Sequence, residues 1–400
     1  MQPFENPIYV TRPFLPPLSE FCEGLQEIWD NHWLTNYGPI LKRFEKQLAD
    51  YVETEKLSLF TNGTLALQIG LQGMGISGEV ITTPFTFVAT THALYWNKIR
   101  PVFCDIEPDY YTLDAEKVES LITPWTMAIL PVHVFGHPCN LEKLQEIARK
   151  HNLRLIYDAA HAFGVRVNDK PIALFGDMTM FSMHATKLYH SLEGGMLTFH
   201  DPRLKSTLNY LKNFGFKNEV EVVMPGTNAK MNEMQALMGI QMLNYIENLI
   251  NKQKEIDSIY RACLKDTPGI RFCPQLPQSV SHNYSYVPVG IDEEEFGLSR
   301  DELYETLKHY NVFTRRYFYP LVCDFACYQS LSVSHPLTVA RRVAERILTL
   351  PTYYELKLDD VHRICDIIRH IQRERVSKIQ ITENLIIPHR RGVAKRSWDR

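Results

Sequence analysis

Several absences narrow the field before any motif is read. The eight cysteines include no CxxC pair and no metal-ligand spacing, so reduced thiols are expected rather than a disulfide frame or a metal centre. No apolar run approaches the roughly 20 residues that cross a bilayer. The formal charge of −3 gives no electrostatic reason for a nucleic-acid or membrane partner. The opening MQPFENPIYVTRPFLPPL lacks a basic start and is broken by prolines, so it does not read as a signal peptide. Together these point to a soluble cytoplasmic protein.

What is present suits a globular enzyme. Four hundred residues, 45% apolar and 22% charged, allow two or three well-cored domains. Between about 57 and 200, short β-branched runs alternate with helical stretches. EVITT (79–83), PVFCDI (101–106), MAILPVHVFG (127–136), LRLIYDAA (153–160) and MTMFSM (178–183) read as strands; 64–74, 88–97, 114–122 and 141–151 read as helices. The alternation predicts an α/β fold, a mostly parallel sheet with helices on both faces. Continuously apolar strands fit burial on both sides.

Past about 205 the pattern changes. Residues 231–265 predict one long helix, followed by strands near 283–290 and helices at 299–310, 337–349 and 358–373. We therefore expect a large domain with an N-terminal arm over 1–245 and a small α+β domain over 246–375. A basic, loosely ordered tail is expected over 376–400.

The glycines Gly73, Gly75 and Gly78 match GxGxxG. A dinucleotide loop needs a strand before it and a helix after it. Here a helix ends and a strand begins, so these glycines read as a helix stop.

Four other stretches carry chemistry. Asn62-Gly63-Thr64 opens a helix, whose free N–H groups and dipole suit a phosphate as well as an ordinary cap. Asp158, in YDAAHAFG (157–164), sits at the carboxyl end of an apolar strand, where open α/β sheets place ligands. Phe87 could stack on a flat ring or fill core. Lys187 lies in FSMHATKLYHSLEGG (181–195), an amine in an otherwise interior segment. Singly, each has an ordinary structural explanation. Jointly they supply what pyridoxal 5′-phosphate requires: a phosphate cradle, a carboxylate for the pyridinium nitrogen, a ring-stacking group and an amine for the aldehyde.

The chain here resembles the DegT/DnrJ/EryC1/StrS sugar aminotransferases, which have the aspartate aminotransferase-like fold type I. The motifs are WLTNYGP (33–39), LFTNGTLAL (59–67), TPFTFVAT (83–90), PVFCDIEPDYYTLD (101–114), PVHVFGHP (131–138), YDAAHAFG, FSMHATKLYHSLEGG, GTNAKMNEMQA (226–236) and RRYFYPL (315–321). The resemblance implies a Schiff base and proton shuttle at Lys187 and a pyridinium partner in Asp158. It implies ring stacking by Phe87, a contact near the ring hydroxyl from His161, and phosphate binding by Gly63, Thr64 and Ser182. Asn228 would reach the phosphate of a neighbouring subunit, which implies a homodimer with shared sites. Thr35, Tyr37, Glu193, His190, Arg316 and Tyr317 lie in segments where the family contacts the nucleotide-sugar.

The five residues between Lys187 and Glu193 resemble the spacing of enzymes that aminate 4-keto sugars. HATK, DAAHAFG and TRPFLPPL resemble the enzymes that make dTDP-4-amino-4,6-dideoxy-D-glucose from the 4-keto-6-deoxy sugar with L-glutamate, in deoxysugar and O-antigen biosynthesis. A 3-keto-sugar aminotransferase and a silent, cofactor-binding regulator are the alternatives. Leu188 stands where the family usually has asparagine. A dehydratase would replace the lysine with histidine, and Lys187 is intact.

Overall fold

The computed structural model describes residues 1–331, 333 and 335–386. Its centre is a seven-stranded sheet made of β1 (Leu57–Phe60), β2 (Glu79–Thr82), β3 (Arg100–Phe103), β4 (Thr126–Leu130), β5 (Arg154–Asp158), β6 (Met178–Ser182) and β7 (Gly195–Phe199). The order is β1-β7-β6-β5-β4-β2-β3. β7 runs antiparallel to both neighbours, and the other pairings are parallel. Apolar clusters cover both faces: Leu67, Leu94 and Ile156 belong to one, Leu144, Ile147 and Leu155 to another. That double burial is why these strands read as unbroken apolar runs.

The helices that matter here are α1 (Pro39–Val52), α2 (Gly63–Gly73), α3 (Val88–Trp96), α4 (Glu233–Leu243), α5 (Ile246–Leu264) and α6 (Leu358–Ile386). The Asn62 side chain caps α2 by accepting from Leu65 N at 2.8 Å, and Asn232 with Gln235 forms a capping box on α4. Gly75 and Gly78, at φ +67° and +65°, lie between α2 and β2. A Cβ at Gly78 would fall 2.6 Å from the Trp125 carbonyl oxygen, so these glycines end a helix and open the turn into β2, the reverse of the strand-to-helix order of a dinucleotide loop.

A second core gathers Ile256, Tyr260, Val287, Leu303, Leu348 and Ile364 around an antiparallel sheet of Ile270–Phe272, Val287–Ile291 and Ile347–Leu350. Phe4 and Ile8 pack into it as well, because Ile8–Tyr9 pairs with Val312–Phe313.

Three sequence expectations shift. The helix expected over 337–349 ends at Arg346, and ILTL (347–350) becomes a strand, fully buried and bonded along Val287–Gly290. Sheet pairing overrides a helical pattern that ran on through four apolar-rich residues. The single helix over 231–265 divides at Asn244–Tyr245, where the Tyr245 hydroxyl donates to Glu20 at 2.7 Å and its ring meets Phe14 at 5.1 Å. Residues 376–386, expected to begin a loose tail, continue α6; the tail over 387–400 lies outside the described residues. Among those residues no helix is long and apolar enough to cross a membrane.

The buried Glu233 carboxylate accepts from Ile40 N at 2.8 Å and Leu41 N at 3.2 Å, closing the free N-terminus of α1 from a distant part of the chain. Glu233→Ala is expected to cost about 2 kcal/mol by stranding those amides. Glu233→Gln should cost less. Urea unfolding midpoints of the three proteins check this order.

Candidate active site

Four strand ends converge on one cavity of about 590 Å³. β1 delivers the Asn62–Thr64 turn and the start of α2, and β2 delivers Thr86 and Phe87 ahead of α3. β5 ends in Asp158, and β6 in Ser182 with Lys187 just beyond. All are carboxyl ends of strands, where the loops of an open α/β sheet leave a crevice.

The phosphate end is shaped by close backbone approach. A Cβ on Gly63 would lie 3.0 Å from the Ser182 Cβ, and one on Gly195 would lie 2.4 Å from the Asn62 carbonyl oxygen. With no side chain at 63, the first turn of α2 presents its amides and the Thr64 and Ser182 hydroxyls beside them. That donor set suits a phosphate.

Asp158 is buried. Thr90 Oγ1 donates to one carboxylate oxygen at 2.7 Å, and Ala160 N donates to the other at 3.0 Å. Thr86 Oγ1 lies 2.9 Å from Thr90 Oγ1, extending the hydroxyl chain toward α3's start. Burial still pushes the Asp158 carboxyl above its usual range, opposed by Thr90, Ala160 and the charge of Lys187. Lys187 shows the reverse effect: burial lowers its ammonium to about 8, opposed by Asp158. Its Nζ is 3.4 Å from the Tyr286 hydroxyl.

Burial also drives His161 well below its usual range, so the ring is neutral. Its Nδ1 accepts the Phe135 amide at 3.1 Å, which assigns the remaining proton to Nε2. The imidazole stacks on Phe318, with centroids 5.8 Å apart and planes 10° apart. Phe87 keeps 58% of its surface exposed on the cavity wall. The ring that a core position would have covered is left free for a flat partner. Cradle, carboxylate, aromatic wall and low-pKa amine all fit pyridoxal 5′-phosphate.

The structure does not gather every expected residue. Gly63, Thr64, Phe87, Asp158, His161, Ser182, Lys187, Glu193 and Tyr317 line the cavity. His190 does not: it is buried, with Nε2 2.7 Å from the Phe14 carbonyl oxygen and Nδ1 accepting from Leu192 N, so it ties the site loop to the N-terminal arm. Arg316 is also off the lining, paired with Asp301 at 2.8 Å and stacked against Tyr304 and Tyr319. Thr35, Tyr37 and Asn228 are exposed and lie outside this chain's own cavity.

Other residues went unread in the sequence. Thr90 stands one helical turn after Thr86, a spacing that hinted at a shared face. His184 accepts from Thr186 N through Nδ1 and meets Glu193 at 3.4 Å at the cavity wall. Tyr286 and Phe318 come from the C-terminal unit; Phe318 lies within the motif RRYFYPL (315–321), but no local pattern reveals Tyr286.

A lysine with its ammonium lowered to about 8 is protonated below that pH and neutral, hence nucleophilic, above it. In cofactor-stripped protein, acylation of Lys187 followed by peptide mass spectrometry should rise with pH around a midpoint near 8. A midpoint near the ordinary 10.5 would contradict the burial argument.

Comparison with known proteins agrees with this geometry. Residues 18–369 match the DegT/DnrJ/EryC1/StrS aminotransferase family. The chain is 43% identical over 368 residues to a dTDP-4-amino-4,6-dideoxy-D-glucose transaminase of Shigella dysenteriae, covering 92% of this chain and 100% of that protein. A protein of the same name from Escherichia coli is 44% identical over 368 residues, with 91% and 98% covered. The crystal structure of DesI in the presence of its TDP-sugar product superposes with a TM-score of 0.89 at 36% identity, covering 96% of this chain and 97% of that one. The chain therefore belongs to the DegT/DnrJ/EryC1/StrS family of pyridoxal-phosphate-dependent aminotransferases.

Proposed function

We propose that this enzyme moves an amino group from L-glutamate to C4 of dTDP-4-keto-6-deoxy-D-glucose, giving dTDP-4-amino-4,6-dideoxy-D-glucose. The observation that carries the reading is the joint placement of Lys187, Asp158 and the Gly63–Ser182 cradle on one cavity. Identity of 43–44% to two transaminases with that product supports C4 over C3. Assembly as a cytoplasmic homodimer, serving surface glycan such as O-antigen, belongs to the same proposal.

When bound, pyridoxal phosphate supplies an electron sink for negative charge at the reacting carbon. The α2 N-terminus with Thr64 and Ser182 would bind its phosphate, and Asp158, oriented by Thr90, would hold the ring-nitrogen proton. Phe87 would cover one ring face, while the His161 Nε2–H would serve as a neutral donor near the ring. Lys187, its ammonium lowered to about 8 by burial, would carry the proton to and from the substrate carbon. Glu193 and Tyr317, on the cavity wall, are the chain's own candidates for sugar contact.

Asn228 sits beside an exposed apolar loop in which Val220 is 93%, Val222 57% and Phe214 48% exposed. Such a patch is suited to burial by a second subunit, which supports Asn228 acting in the partner's site. Thr35, Tyr37 and Arg316 remain assigned to the nucleotide-sugar on the resemblance alone.

Purified protein with pyridoxal phosphate, L-glutamate and dTDP-4-keto-6-deoxy-D-glucose should form the 4-amino sugar nucleotide, identified by mass spectrometry and NMR, and Lys187→Ala should form none. Product aminated at C3, or no product while the cofactor binds, would reject this substrate. Thr90→Val removes one donor to the Asp158 carboxylate and should weaken cofactor retention about tenfold, about 1.4 kcal/mol. Equilibrium dialysis measures it.

A further inference from the structure

Among the described residues, the Tyr286 hydroxyl is the only hydrogen-bond partner of the Lys187 amine, at 3.4 Å. Tyr286 directly precedes strand Val287–Ile291, so the C-terminal unit carries it to the end of the larger sheet. Its ring is fixed on several sides. His161 lies 4.6 Å from it, Phe135 5.6 Å and Tyr317 6.1 Å, centroid to centroid. Burial raises its hydroxyl far above the ordinary range, so the proton stays on the oxygen.

A hydroxyl of that kind serves both states of a lysine. It accepts an N–H from the ammonium and donates to the lone pair of the neutral amine. Lys187 passes between those states near pH 8, and its four-carbon stem has no other anchor at the amine. We propose that Tyr286 is the positioning residue for Lys187: it holds the ε-amine, whenever that amine is not covalently engaged, at the place from which it reacts. A reacting group misplaced by an ångström loses much of its rate, so the effect falls on steps that use the amine.

Tyr286→Phe keeps the ring and its neighbours. Covalent capture of pyridoxal 5′-phosphate by cofactor-stripped protein, followed by visible absorbance, should slow about tenfold. In a Lys187→Ala background the same substitution should change non-covalent cofactor affinity less than twofold, because Tyr286 acts through the lysine. In turnover, kcat should fall about tenfold with both KM values within twofold, and the isotope effect with L-[2-²H]glutamate should rise. An unchanged capture rate overturns the proposal. So does an affinity loss in the Lys187→Ala background equal to that with lysine present, which would make Tyr286 part of the ring stack. The turnover arm rests on the aminotransferase reading above. Cofactor capture needs neither sugar nor amino donor, so a wrong substrate assignment leaves that result standing.

Discussion

A carboxyl group buried at the end of β5 governs the rest of the site. Asp158 lies almost wholly out of water, with one hydroxyl and one amide as donors. Those two bonds do not cancel the desolvation, and the carboxyl stays above its usual range. A buried carboxylate left in that condition favours any cation brought against it. A protonated ring nitrogen is such a cation. On the reading proposed above, the incomplete solvation of Asp158 is what would favour a protonated ring nitrogen placed against it. The same desolvation acts with opposite sign on Lys187, lowering its ammonium to about 8. One feature, exclusion of water, prepares both the acid and the base.

The sheet explains why these groups meet at all. Strands that run the same way place their carboxyl ends on one edge, so β1, β2, β5 and β6, of which only β5 and β6 are adjacent, direct their following turns to one crevice. Residues 62, 87, 158 and 187 are far apart in sequence yet share one crevice. β7 contributes from the opposite direction. Its first residue, Gly195, packs on the Asn62 carbonyl, where any side chain would displace the Asn62–Thr64 turn. That contact gives a structural reason for the second of the two glycines that follow Glu193.

The legible part of this structure was the part encoded in neighbouring residues. Asp158 was legible as a carboxylate ending an apolar strand and the Asn62–Thr64 turn as small residues opening a helix, whereas Phe87 read equally as core filling until the structure left it exposed on the cavity. Lys187 was readable because an amine in an apolar segment requires explanation. Contacts that depend on tertiary packing were silent. ILTL (347–350) carried the apolar content of a continuing helix, and only its pairing with Val287–Gly290 made it a strand. His190, three residues after the lysine, read as either a structural or a substrate contact, and its nitrogens, committed to Phe14 and Leu192, decide for the structural one. Tyr286 stands 99 residues from Lys187, and no periodicity connects them.

The cavity's aromatic wall is built across the two cores. Phe135 and His161 come from loops of the larger sheet, whereas Phe318, Tyr317 and Tyr286 come from the C-terminal unit. Phe135 and Phe318 stack at 6.1 Å with planes 8° apart, and His161 lies nearly parallel to both. Stacked rings resist sliding because their contact area and quadrupole preferences fall away together. The three rings therefore fix how the units sit beside the cofactor space. Phe135 and Phe318 also fix His161, whose Nδ1 is held by the amide of Phe135 itself. Moving the C-terminal unit would disturb the ring stack, the imidazole and the hydroxyl facing Lys187 together. A unit that contributes no strand to the large sheet thus bears directly on the geometry of its reactive amine.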